Sequence, residues 1–195
     1  MDDVDGRVVR RFWAKKAQDE DNRWTPAAML EWEKAFVTSM MPARSIRILD
    51  LGCGHGALSR SIVRVGDELT GVDQEPGFAR SFEEHSFILS EAESFDTHER
   101  FDLILVFGVI TCVGRDSEQA IYDVCRRSVT EGGLVIVKNQ CAYSKEIVVS
   151  GLSEALGTEY SGRYPSVASV SDALSRRFAS VQRVDYPVEF NPWPD

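Results

Sequence analysis

The stretch Ile48-Leu49-Asp50-Leu51-Gly52-Cys53-Gly54-His55-Gly56-Ala57 decides how the rest of this chain is read. Apolar residues bracket an aspartate at the end of a buried strand, and three glycines then fall at alternate positions. An amphipathic run follows at once with Leu58, Ile62 and Val63. Strand, glycine turn and helix in that order open a nucleotide-binding α/β unit. Glycine is needed because the turn adopts backbone angles that a Cβ resists, and because the main chain must approach a ligand closely. The helix that follows offers free N–H groups to the same ligand.

Two ligand classes fit this pattern. Gly52, Gly54 and Ala57 satisfy the dinucleotide fingerprint G-x-G-x-x-G/A, which is weak by itself. Asp50, two residues before the first glycine, separates the classes. A dinucleotide diphosphate is repelled by a carboxylate so close to the loop, whereas a ligand with a sulfonium and a free ammonium group is attracted. S-adenosylmethionine is such a ligand. On these residues the segment resembles motif I of the class I S-adenosylmethionine-dependent methyltransferases. The resemblance implies that Asp50, Gly52, Cys53, Gly54, His55 and Gly56 contact this cofactor and its product, S-adenosylhomocysteine, with His55 acting through its backbone.

Downstream segments follow the same order. Glu68–Asp73 reads as a second strand ending in an acid. Asp73 lies about 20 residues beyond the first glycine, where a ribose-binding carboxylate belongs, and Gln74 follows it. Asp73 also suits a helix N-cap before Glu75-Pro76, a role compatible with ribose binding. Phe87–Leu89 reads as a third strand, and the resemblance places Glu91, Ala92 and Glu93 beside the adenine. Phe101–Phe107 is a continuous apolar run, suited to a central buried strand. Its Phe-Asp-Leu-Ile opening resembles motif IV of the family, which implies that Phe107 and Gly108 lie at the reacting methyl. Phe-Gly-Val-Ile replaces the Asn/Asp-Pro-Pro-aromatic signal of nucleic-acid amino methylation. Many small-molecule relatives carry a histidine near Cys112; Ile110-Thr111-Cys112-Val113 has none, so a histidine base at that place is ruled out. Asp116 or Ser117 is expected to cap a helix with Ile121, Val124, Cys125 and Val129 on its apolar face. Glu131-Gly132-Gly133 turns into a fifth strand, Leu134–Lys138. Lys138, Asn139 and Tyr143 are the candidates for contact with the methyl acceptor, and no metal ligand set is visible.

Before the first strand, residues 7–41 are expected to be mostly helical, with Thr25-Pro26 as a helix start and Met29, Trp32, Phe36 and Met40 at helical spacing. The resemblance implies an N-terminal helical lid, in which Phe12 or Trp13 excludes water; a surface helix with one aromatic side tucked inward is the plainer alternative. The basic run Arg7–Lys16 is either a solvated face or a hold for an anionic substrate. After the fifth strand, Ser144–Leu156 is expected to be a helix stopped by Gly157. Thr158–Pro165 is expected to be a loop, either an ordinary connector or one in which Tyr160, Arg163 and Tyr164 recognise a polyhydroxylated or anionic substrate. One more helix (Val167, Val170, Leu174, Phe178) and a sixth strand, Phe178–Tyr186, complete the pattern. The family ends in a hairpin of two strands, and no adequate seventh strand is visible; dimer pairing would cover the edge thus exposed.

The expected fold is α/β: a Rossmann-like, doubly wound, mostly parallel sheet with helices on both faces, an N-terminal helical lid and a missing final hairpin strand. Residues 1–195 read as one domain, with a cap over 1–44, a cofactor-binding core over 45–140 and substrate-side elements over 141–195. A chain of 195 residues supports one such core. The net charge of −9, from 31 acidic against 22 basic residues, argues against a general nucleic-acid binder. Cys53, Cys112, Cys125 and Cys141 form no C-x-x-C pair and read as free thiols of a reducing cytoplasm. Neither a signal-peptide core nor a membrane-spanning apolar run is visible. The expected activity is methyl transfer from S-adenosylmethionine to an oxygen or nitrogen of a small molecule, such as a sugar or another metabolite, by a monomer or homodimer with no nucleic-acid or membrane partner. A noncatalytic partner subunit with this fold and an NAD-dependent oxidoreductase remain as rivals.

Overall fold

The computed structural model describes residues 3–18, 25–154 and 157–190. Helices α1 (Gly6–Lys16) and α2 (Ala27–Met40) precede strand β1 (Arg47–Leu51). Then come α3 (Ser59–Ile62), β2 (Glu68–Asp73), β3 (Ser86–Leu89), β4 (Phe101–Phe107), α4 (Arg115–Ser128) and β5 (Val129–Lys138). The chain continues through β6 (Ile147–Ser153), β7 (Thr158–Tyr164) and α5 (Val167–Ser175). Strands β1 to β5 form a parallel sheet in the order β3-β2-β1-β4-β5. The order reverses beside β1, so the crevice lies over the carboxyl ends of β1 and β4, where open α/β sheets take ligands.

Alternation along the strands divides the core. Ile48, Leu103 and Leu105 face Val37 of α2 and Leu58 and Ile62 around α3. Leu49, Leu51, Ile104 and Val106 face Ile121, Val124 and Cys125 of α4 and Ala173 of α5. Both faces are covered, as parallel strands with apolar residues on each side require.

The β-branched run Ile147-Val148-Val149 opens a strand, not the expected helix over 144–156. Its apolar residues also fit a helical spacing, but an antiparallel partner decides the matter: Ile147 pairs with Tyr164 and Gly151 with Tyr160. The expected loop at Thr158–Pro165 is that partner, β7. Tyr160 and Tyr164 flank Gly162 on one face, where a Cβ would sit 2.4 Å from the Tyr160 hydroxyl oxygen. Ala155 and Leu156, assigned to the expected helix, lie outside the described residues, as does the end of the tail from 191 to 195.

The expected strand Phe178–Tyr186 is not one. Ser180, Gln182, Arg183 and Asp185 leave too little apolar surface to hold it on the sheet, and it joins no ladder among the described residues. Several boundaries also move. The helix after the glycine turn is only four residues long. Gly114 precedes α4, so neither Asp116 nor Ser117 caps it; instead Asp3 Oδ2 accepts from Arg115 N–H at 3.3 Å. Pro26, not Thr25, occupies the N-cap of α2. Strand β5 begins at Val129, before the glycine pair, and its register against β4 shifts between Phe101 and Leu103. No helix among the described residues is long and apolar enough to cross a membrane.

Candidate functional site

The cleft starts at the end of β1. Gly52, Gly54 and Gly56 have φ of 72°, 51° and 65°, the region that side chains resist. Gly52 N–H and Cys53 N–H both donate to the Val72 carbonyl, at 2.7 and 3.0 Å, which folds the loop over β2. A Cβ at Gly52 would lie 2.4 Å from Val109 Cγ2, so glycine lets this loop pack on the turn after β4. A Cβ at Gly54 or Gly108 would meet nothing within 4 Å, because both backbones border open cleft.

Two carboxylates frame the loop. Asp50 is 6% exposed, and burial pushes its carboxyl up to about 7; the Ser59 hydroxyl opposes that rise and the Asp73 charge adds to it. Asp73 Oδ2 accepts from Gly54 N–H and Oδ1 from Glu75 N–H, both at 2.9 Å. Burial raises Asp73, and the N–H groups of Glu75, Gly54 and Gln74 oppose the rise. Each carboxylate oxygen keeps a lone pair for a ligand hydroxyl. Asp73 is not the expected helix N-cap: Glu75 caps the 3-10 turn Pro76–Phe82, accepting from Gly77 N–H at 3.0 Å, while Asp73 holds the preceding turn and stays available to a diol.

His55 turns its ring away from this loop. Its Nδ1 is 2.9 Å from Ser81 Oγ, the ring stands edge-on to Phe78 at 4.7 Å, and Nε2 is buried with no hydrogen-bond partner. Gln74, Glu91, Ala92 and Glu93 line the neighbouring wall. Glu91 meets Arg10 of α1 at 3.4 Å, both side chains about half exposed. At the end of β4, Gly108 N–H donates to the Lys138 carbonyl at 2.9 Å and so joins the tips of β4 and β5. The Cys112 thiol is held above its ordinary range by burial, partly offset by Trp13 and Thr111, so it stays protonated.

Helix α1 closes the cleft from above. Asp5 caps it, and Asp5 N–H donates to Ser161 Oγ of β7 at 2.9 Å. Phe12 is buried edge-on to Trp13 and Tyr160, at 5.3 and 6.3 Å, and Trp13 reaches Phe78 at 6.5 Å. Trp13, Tyr160 and Tyr164 therefore line the cleft, the tyrosines with their hydroxyls 2.8 Å apart.

Arg163 does not face a substrate. It is 1% exposed and bound on every side: to Glu118, to Glu146 at 2.6 Å, and through Nε to the Val113 carbonyl at 3.3 Å. Strand alternation turns it opposite to Tyr160 and Tyr164, into the joint between β7 and α4.

The three acceptor-side candidates separate. Tyr143 is 70% exposed. Asn139 has a buried Oδ1 with no partner. Lys138 lies at the rim, 3.1 Å from Glu33 Oε1, a carboxylate of α2 that is 3% exposed. Tyr186 Oη donates to the same oxygen at 2.7 Å. Sequence reasoning missed Glu33 and Tyr186. An acid four residues from Met29 and from Val37, on the apolar stripe of α2, was the available signal. Among the described residues, no group of three or more His, Cys, Asp or Glu could hold a metal ion.

Residues 48–133 match a family model described as a methyltransferase domain. The chain is 36% identical over 81 residues to a ubiquinone biosynthesis O-methyltransferase of Azorhizobium caulinodans, covering 37% of this chain and 32% of that protein. It is 31% identical over 108 residues to the protein of that name in Rhizobium leguminosarum, covering 51% and 42%. The chain thus spans less than half the length of these two relatives. In fold it is similar to Burkholderia thailandensis 1,6-didemethyltoxoflavin-N1-methyltransferase, crystallised with 1,6-didemethyltoxoflavin and S-adenosylhomocysteine. The TM-score is 0.68 at 19% identity, over 88% of this chain and 76% of that one.

Proposed function

We propose that this chain is a class I S-adenosylmethionine-dependent methyltransferase and that it transfers a methyl group from S-adenosylmethionine to an oxygen or nitrogen of a small molecule. The observation that carries the reading is the pair of buried carboxylates around a left-handed glycine loop. Asp50 receives the ammonium group, Asp73 the ribose hydroxyls, and the open space at Gly54 and Gly108 receives the body of the ligand. The Asp50 carboxylate, buried beside the glycine loop, would repel a diphosphate, which weighs against NAD.

The bound cofactor supplies an electrophilic methyl on a positively charged sulfur. Gly108 and Phe107 position that end of the ligand, Glu91 with Ala92 and Glu93 holds the adenine edge, and Gln74 completes the wall beyond Asp73. Helix α1 excludes water through Phe12 and Trp13. Lys138 borders the acceptor. Rate enhancement then comes from in-line placement and exclusion of water. The names of the curated relatives and the net charge of −9 favour a small-molecule acceptor over a nucleic acid.

Calorimetric titration with S-adenosylhomocysteine tests the reading, on the wild type and on Asp73→Ala. The expected result is micromolar-range affinity, about −8 kcal/mol, weakened at least about tenfold by the substitution. A folded wild type that does not bind overturns the proposal. Binding without turnover across sugars, amines and phenols would favour a noncatalytic partner subunit.

A further inference from the structure

We infer that Lys138, with Glu33 and Tyr186 behind it, selects a flat acceptor bearing an acidic hydroxyl and holds that oxygen ionised. This rests on the methyltransferase reading and specifies its acceptor. The three residues come from α2, the tip of β5 and the extended segment after α5, and they meet at one carboxylate oxygen. The ion pair with Glu33 Oε1, at 3.1 Å, fixes the place of the Lys138 cation. Burial, with the hydrogen bond to Glu33 and its charge, raises the Tyr186 phenol, so Tyr186 remains a donor and is not a base. One of the three Lys138 N–H donors is used on Glu33, and 23% of its side chain is exposed at the tip of β5, beside Phe107 of β4.

The surroundings define the shape of the acceptor. Trp32 is stacked on Phe36 at 5.3 Å and 6°, Tyr186 lies 4.8 Å from Trp32, and the Lys138 ammonium is 5.9 Å from the Phe107 ring centre. Flat aromatic walls around a half-neutralised cation suit a planar ring or enol whose oxygen carries the charge. A structural role alone explains this poorly: a buried ion pair adds little net stability over apolar residues of the same volume. The chemistry also balances without a base. The hydroxyl releases its proton to solvent on binding beside Lys138. The oxygen lone pair then forms the new O–CH3 bond as the S–CH3 bond breaks, and that electron pair returns to sulfur as a neutral thioether. The segment 110–113, which has no histidine, then needs none.

The probe is 4-nitrophenol, whose ionised form absorbs visible light. It is titrated with pH in the presence of protein saturated with S-adenosylhomocysteine. The expected result is an apparent pKa lowered by about one unit in the complex. Lys138→Met abolishes the shift, Lys138→Arg keeps it, and Glu33→Gln enlarges it by removing the counter-charge. The double variant Glu33→Gln/Lys138→Met avoids a lone buried charge and also loses the shift. Calorimetry with S-adenosylhomocysteine on each variant reports folding and the cofactor site. An unshifted titration with the wild type, or a shift that survives Lys138→Met, overturns the inference while cofactor binding stands. Failure of the wild type to bind S-adenosylhomocysteine overturns the methyltransferase reading itself.

Discussion

At Asp50, burial and a nearby charge pull against the ligand's need. The buried carboxyl titrates at about 7, against an ordinary value of 3.8, so below that pH the empty protein favours its neutral form. This favourable contribution to stability is complete below the unfolded-state value and is lost as pH rises through about 7. A ligand ammonium requires the charged form. Affinity for S-adenosylhomocysteine is therefore expected to be level above pH 7 and to fall by up to about tenfold per pH unit below it. Calorimetry across that range, in buffers of different ionisation enthalpy, reads the affinity and the released proton together. A flat profile would mean that Asp50 is already ionised in the empty protein. The position of Asp50 was legible in the sequence; its titration was not, because burial depends on what packs around the loop.

Between elements, the hairpin of β6 and β7 is held to α4 by charge as much as by apolar contact. Arg163 of β7 meets Glu118 of α4 and Glu146 just before β6, Tyr122 donates to Glu118 at 2.9 Å, and Arg115 joins Glu146. Removing the guanidinium leaves two carboxylates with less than their full set of partners. Arg163→Met is expected to cost about 3–5 kcal/mol, read as a lower urea midpoint. Adding Glu118→Gln and Glu146→Gln should recover part of that loss. A variant within about 0.5 kcal/mol of wild type would show that the cluster does not dock the hairpin. The residues of β6 carry both an alternating and a helical apolar pattern, so local sequence left the choice open. Pairing with β7 decided it, and with it the inward direction of Arg163.

Across the whole molecule, α1 bridges the two halves of the cleft. Its ion pairs, Arg10 to Glu91 at 3.4 Å and Arg11 to Glu159 at 3.0 Å, are exposed and contribute little. Its firmer anchors are the Asp5 cap, the Asp5–Ser161 hydrogen bond and Phe12. A ligand beneath Trp13 is expected to slow amide exchange along Val9–Lys16, read by hydrogen–deuterium exchange with and without S-adenosylhomocysteine. Trp13→Ala should reduce that protection and weaken the ligand several-fold. Unchanged exchange would assign α1 to the scaffold, the plainer of the two readings its sequence allowed.

The sequence by itself determined the strand, glycine turn and helix at 48–62, the acids at 50 and 73, and the apolar strands that stack into a parallel sheet. These features are local: a periodicity, a backbone angle that excludes Cβ, an acid at a fixed distance from a glycine. Only the tertiary structure decided that 147–153 is a strand, that Arg163 is buried, and that Glu33, Lys138 and Tyr186 share one oxygen. Such outcomes turn on which distant residue is present to satisfy a buried charge or an open strand edge, and no short stretch of chain carries that information.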